Sequence, residues 1–147
     1  MDVNWWAIIV AAIVKFVIGG IWYMPLFGKQ YRALMGVPEG SDMGGLAPAL
    51  AVQFVGDLVM SYVLARFILH YGASSGGVTL GIGILTGFMA WLGFIAASTV
   101  AQRFYERRPW ALWAINNGYL LIALVVMGAI IGWWQAGAAA AVAPAAG

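Results

Sequence analysis

Four long apolar runs, at about residues 5–25, 46–70, 77–101 and 110–134, alternate with short polar connectors. Each is close to the roughly 20 residues that carry a helix across the hydrocarbon of a bilayer. Strand-period alternation is absent, and the runs far exceed the roughly 9–11 residues of a barrel strand. A helix satisfies its backbone groups internally, which the hydrocarbon demands. The pattern predicts an all-α fold, a polytopic membrane protein with four transmembrane helices in an antiparallel bundle. It forms one domain over residues 1–134, followed by a tail.

The connectors carry their own signals. Pro25 has no N–H for the helical ladder and biases Met24 towards an extended backbone, so it is expected to close the first run. Beyond it Phe27, Tyr31, Leu34 and Met35 alternate with Lys29 and Arg32. That spacing suits a short interfacial helix and an ordinary anchored loop equally well. Residues 36–45, with Pro38, Glu39, Ser41 and Asp42, read as a flexible linker, and His70 to Gly77 as a tight turn. Residues 135–147, almost all Ala and Gly with Pro144, read as a disordered tail or a frayed helical extension. No positively charged segment leads into the first run, and Lys15 stands where a signal peptide has its apolar centre, so the run is read as retained.

Two charges interrupt the apolar pattern at depth. Lys15 lies midway along the first run and Asp57 midway along the second. With a rise of about 1.5 Å per residue, consecutive antiparallel helices would bring them level to within roughly one turn. An unpaired Lys or Asp at the bilayer centre costs about 2.5 to 3.5 kcal/mol, which a neighbouring opposite charge reduces. A neutral form of either residue, or separate partners for each, are the alternatives. Gln53 and Ser61 stand at i−4 and i+4 from Asp57, on the same helical face, where they could serve its remaining acceptors. Arg66 points to the opposite face and reads as a headgroup anchor.

Asn116 and Asn117, in the fourth run, are the second polar feature. Their amides could bond across helices or line a shallow cavity, and interhelical bonding is the preferred role. Adjacent positions are about 100° apart, so both face inward only near a helix junction. Small residues spaced four apart recur at Gly83 and Gly87, Gly93 and Ala97, Ala114 and Gly118, and Gly128 and Gly132. This spacing permits close helix approach within one chain or in a homo-oligomer.

Composition narrows the class further. The 147 residues are 64% apolar and only 8% charged, with a mean hydropathy of +0.92. Soluble domains carry about 25% charged residues, and no room remains here for one beside four spans. The absence of cysteine removes disulfides, thiolate metal sites and thiol catalysis. A net charge of +2 is too small to suggest nucleic acid as a partner. His70 is the only histidine and lies at a run end, which argues against a metal site of ordinary ligand number. Neither a phosphate-cradling glycine loop nor a nucleophile turn is present. The chain is read as a non-enzyme that needs no cofactor or metal.

Positive charge sets the orientation. Lys29 and Arg32 in the first connector and Arg103, Arg107 and Arg108 in the third share one face, whereas the other face has only Arg66. Excess Lys and Arg mark the cytoplasmic side, so both termini are expected on the opposite side, the periplasm of a Gram-negative cell. Aromatics fit the same frame. Trp5, Trp6, Tyr71, Trp133 and Trp134 fall at one interface and Trp22, Tyr23, Tyr105, Trp110 and Trp113 at the other, leaving Trp91 in mid-membrane.

Asn4-Trp5, the segment GIWYMPLFGK from Gly20 to Lys29, WLGF from Trp91 to Phe94, Pro109-Trp110 and INNGY from Ile115 to Tyr119 together carry a resemblance. The chain resembles a bacterial family of small four-helix integral membrane proteins whose activity is unassigned. The resemblance runs over nearly the whole chain up to the Ala/Gly tail. It implies a multi-pass protein of the bacterial inner membrane and no particular chemistry. It also implies that small or apolar residues more often stand where this chain has Lys15 and Asp57, so the two belong together.

Two functional classes follow from the residues. One is a structural or interaction module, with a Lys15–Asp57 clasp specifying which helices touch and the bilayer, a second copy or another membrane protein as partner. The other is a small transporter or channel that places the two charges in an ion or solute pathway. The structural reading is preferred, because a single pair without further ionisable residues makes a short relay.

Overall fold

The computed structural model describes residues 2–38 and 46–142. Glu39, Ser41 and Asp42 of the linker and residues 143–147 of the tail lie outside the described residues. Helix α1 (Trp5–Ile21) starts where the Asn4 side chain accepts from the Ala7 N–H at 3.1 Å, supplying one of the bonds that a first turn lacks. It continues through a widened π turn, Trp22–Leu26, that contains Pro25. The expected stop at Pro25 is therefore displaced by one residue. The Phe27 N–H reaches back to the Trp22 carbonyl at 2.9 Å, so a wider turn carries the ladder past the missing proline donor. Gly28 then permits a sharp corner, since a Cβ there would lie 2.9 Å from the Tyr23 carbonyl oxygen. The basic connector forms helix α2 (Gly28–Met35), which ends on Gly36 in the left-handed conformation at φ 73°.

Helix α3 (Leu46–Ser74) tolerates Pro48 because the proline stands in its first turn. It runs four residues beyond the predicted end, through the segment from His70 that the sequence suggested as a turn. The turn is confined to the end of that predicted segment, at Gly76 and Gly77, whose φ values of 88° and 130° suit glycine. The third span opens at α4 (Leu80–Ala90), where the Thr79 hydroxyl accepts from the Ile82 N–H. It widens into a second π segment, Trp91–Ala96, and closes with α5 (Ala97–Glu106). It thus starts and ends later than the expected 77–101. Helix α6 (Trp110–Val142) absorbs the described part of the Ala/Gly tail as a helical extension.

No strand occurs among the described residues, and four helical stretches are long and apolar enough to cross a membrane: Trp5–Leu26, Leu46–Ser74, Leu80–Glu106 and Trp110–Val142. Their contacts run antiparallel. Lys15 meets Asp57 while Ile8 meets Ser61, and Gly83 meets Gly128 while Gly87 meets Leu124. The segment before α1 and the later part of α6 lie together, where the Gln135 amide donates to the Asp2 carbonyl at 3.1 Å. Helix α6 is the most enclosed, contacting α1, α3 and α4, whereas the third span lies at the margin. Two of the small-residue pairs are used within the chain, Gly83 and Gly87 of α4 against Gly128 and Gly132 of α6. Nothing lies within 4 Å of a Cβ at Gly93, so that pair faces outward.

Candidate functional site

On α1, alanines at 7, 11 and 12 are fully buried and bring the helix close to its neighbours around Lys15. Lys15 is 1% exposed and Asp57 0%. The Lys15 Nζ donates to Asp57 Oδ1, forming an ion pair between the first two spans. Gln53 Nε2 donates to the same carboxylate oxygen at 2.7 Å, as the i−4 spacing anticipated. A third span joins through Tyr119 of α6, whose hydroxyl lies 3.1 Å from Lys15 Nζ. Ser61 behaves differently from the sequence expectation. Its hydroxyl donates at 2.8 Å to the Ile8 carbonyl across the helix seam, not to Asp57. Asp57 Oδ2 is buried and has no hydrogen-bond partner among the described residues.

A second polar node adjoins the clasp and is built on residues 115–119 of α6. Trp22 and Trp91 each open a π segment, and each indole donates to an α6 carbonyl: Trp22 to Ile115 and Trp91 to Asn117, both at 2.9 Å. A carbonyl has two lone pairs, so it can accept the indole as well as its own helical N–H. Asn116 and Asn117 serve different neighbours, as a 100° separation requires. Asn116 Oδ1 accepts from the Tyr23 hydroxyl at 2.8 Å, while Asn117 Oδ1 accepts from Thr99 at 2.9 Å. The Trp22 ring packs over Gly118, at the distance where a Cβ there would make ordinary contact. Segments quoted above for their motifs, GIWYMPLFGK, WLGF and INNGY, thus meet at one place.

Residues 6–132 match a family model, DUF1761, described as a protein of unknown function. The chain belongs to the DUF1761 family. No curated protein and no solved structure matches it. The DUF1761 region contains the clasp, the node and both π segments, and it ends inside α6 before the Ala/Gly extension.

Within this DUF1761 chain the remaining predicted residues lie away from the clasp. Lys29, Arg32, Arg66, Arg107 and Arg108 are exposed, and Arg103 is half-buried. Tyr119, Trp22, Tyr23, Trp91 and Thr99 were not among the predicted site residues, although all but Thr99 stand in quoted motifs. Towards the chain ends the clasp is covered by an apolar cluster that includes Ile8, Ile68, Leu124, Met127 and Ile131. Towards the basic connectors the neighbouring side chains are polar: Tyr119, Tyr23 and Asn116. Among the described residues no three His, Cys, Asp or Glu side chains gather to hold a metal.

Proposed function

We propose that this DUF1761 protein is a non-catalytic structural or interaction module of the bacterial inner membrane, in which Lys15 and Asp57 form a clasp that selects how the spans pack. One observation carries the reading. The pair is fully enclosed and joins three spans through Asp57, Lys15 and Tyr119. The apolar cluster between the clasp and the chain ends supports a static role, because an ion pathway would need polar groups there as well. The module faces the bilayer, and its partner is a second copy or another membrane protein. The Lys and Arg of the odd connectors support a topology with those connectors in the cytoplasm and both termini in the periplasm.

The test uses Lys15→Met, Asp57→Leu and the double variant in the full chain. Each single change leaves a buried charge without its partner, at a cost of about 3–5 kcal/mol, whereas an apolar pair is close to neutral. The double variant is therefore expected to regain most of the stability lost by either single. Ion flux into proteoliposomes, carried by the wild type and lost in a well-folded double variant, would overturn the structural reading. The unpartnered Asp57 Oδ2, with Tyr119, Tyr23 and Asn116 on the basic side, favours that second reading, a small transporter or channel.

A further inference from the structure

At the turn between α5 and α6 lies a cavity of about 170 Å³, bordered by Gln102, Arg103, Trp113, Asn116 and Asn117. Glu106 and Arg108 also border it, but they neutralise each other, with Arg108 Nε 2.8 Å from Glu106 Oε2. Arg103 is left without an ion pair or side-chain hydrogen bond among the described residues, and its Nε is buried with no acceptor. Its guanidinium is held in place by aromatics, 4.3 Å from the Trp110 ring centre and 5.1 Å from that of Phe104. Stacking of this kind fixes the plane of the guanidinium and leaves the N–H groups on its rim to bind an acceptor.

Neutral donors stand beside it. Asn116 uses its oxygen to accept from Tyr23, which leaves its amide nitrogen to donate, and Gln102 makes no side-chain hydrogen bond among the described residues. Two cations against one carboxylate give the cavity wall a net positive charge. Arg108 also reaches Met35 of α2 at 3.3 Å, which sets this turn level with the other basic connector. That level, ringed by Trp110 and Trp113, is where the phosphates of a bilayer lie.

We infer that this cavity receives one anionic phosphate group, with Arg103 as the charged donor and the Asn116 and Gln102 amides as neutral ones. A planar guanidinium matches two phosphate oxygens, a geometry that lysine does not reproduce. The phosphate can belong to an anionic lipid headgroup or to a soluble phosphate.

Two measurements on the full chain separate the sources. In the first, protein is released from nanodiscs of equal phosphatidylglycerol and phosphatidylcholine, and the retained lipid is counted by native mass spectrometry. In the second, inorganic phosphate is titrated onto detergent-solubilised protein while its unfolding midpoint is followed by circular dichroism. For a lipid headgroup, the wild type retains phosphatidylglycerol over phosphatidylcholine about fivefold more than Arg103→Gln does. Arg66→Gln, at the other end of the bundle, keeps the wild-type preference. For a soluble phosphate, the midpoint rises in the wild type and not in Arg103→Gln, with no lipid preference in either. Arg103→Lys keeps the charge without the fork and is expected to behave like Arg103→Gln. Equal lipid retention and equal phosphate response in the wild type and Arg103→Gln would overturn the site, as would an equal loss in Arg66→Gln. Should Arg103→Gln fail to fold, the same comparison with Arg103→Lys decides.

Discussion

Helices α4 and α6 approach closely enough for backbone to meet backbone, and alanine at Gly128 should break that approach. A Cβ at Gly128 would overlap the Gly83 carbonyl oxygen, and one at Gly83 would overlap that of Gly128. The same geometry recurs between Gly87 and the Leu124 carbonyl, and between Gly132 and the Thr79 carbonyl at 2.7 Å. At each glycine the hydrogen that takes the place of Cβ therefore points at a carbonyl of the facing helix. Such Cα–H···O contacts contribute about 0.5–1 kcal/mol each, so the four together hold about 2–4 kcal/mol. One methyl group at Gly128 forces the helices apart by on the order of 1 Å, which forfeits most of these contacts and part of the surrounding dispersion energy. Gly128→Ala is thus expected to destabilise the protein by about 2–4 kcal/mol. Gly56→Ala is the control, because nothing lies within 4 Å of its Cβ position and α3 there is regular helix. Its effect should be within about 1 kcal/mol, with alanine favoured. Unfolding by sodium dodecyl sulfate from a mild detergent, followed by circular dichroism and tryptophan emission, measures both. If Gly128→Ala matched the wild type to within about 0.5 kcal/mol, the helices could not approach this closely in the folded protein.

The two indole donors offer a second check. Trp22→Phe and Trp91→Phe each remove one bond to α6 and should cost about 0.6–1.7 kcal/mol in the same titration. Losses confined to one of them would mean that the two π segments do not dock alike. For orientation, alkaline phosphatase fused after Val142 should be active, as a periplasmic C-terminus requires, and a fluorescent cytoplasmic reporter at that site should stay dark. The opposite pair of results would invert the proposed topology.

The spans were legible because hydropathy alone dictates them, and the depth match of Lys15 with Asp57 followed from helical rise. Ser61 shows where such reasoning stops. Its i+4 position put it on the Asp57 face, yet which acceptor it reaches depends on how near the α1 backbone comes, and that backbone comes close enough to offer the Ile8 carbonyl at 2.8 Å. Trp22 reads as a belt aromatic in the sequence for a related reason. An indole at an interface and an indole bonded to a neighbouring helix have the same sequence signature. The π segment at Trp91–Ala96 escaped because it contains no proline or other local signal, unlike the one around Pro25, and Tyr119 escaped because nothing local marks which span its hydroxyl will meet. Asn116 and Asn117 were legible as interhelical bonding groups, but which neighbour each would meet, Tyr23 for Asn116 and Thr99 for Asn117, was not.

The clasp has a physical reason to exist in a bilayer that it would lack in water. Lipid tails are as apolar as the side chains of a span, so burial does little to choose one helix pairing over another. Ala7 and Ala11 of α1 and Ala65 of α3 are buried in one cluster, small residues that would pack almost as well after a slip of one turn. Sliding α1 by one turn, about 5.4 Å, carries Lys15 out of reach of Asp57 and Tyr119. Each separated charge then faces a burial cost of about 2.5–3.5 kcal/mol, so the slipped arrangement is disfavoured by more than these alanines could recover. On the proposed reading, charges that are costly alone do what apolar contacts cannot do in this solvent, which is to select one register. The double variant is therefore informative beyond its stability. When Lys15→Met and Asp57→Leu are combined, the bundle should stay folded while its register loosens. Cross-links between engineered cysteines on α1 and α3, specific to one register in the wild type, should then form at neighbouring positions too. Cross-links as specific as those of the wild type would show that the packing alone fixes the register and that the clasp is not needed for it.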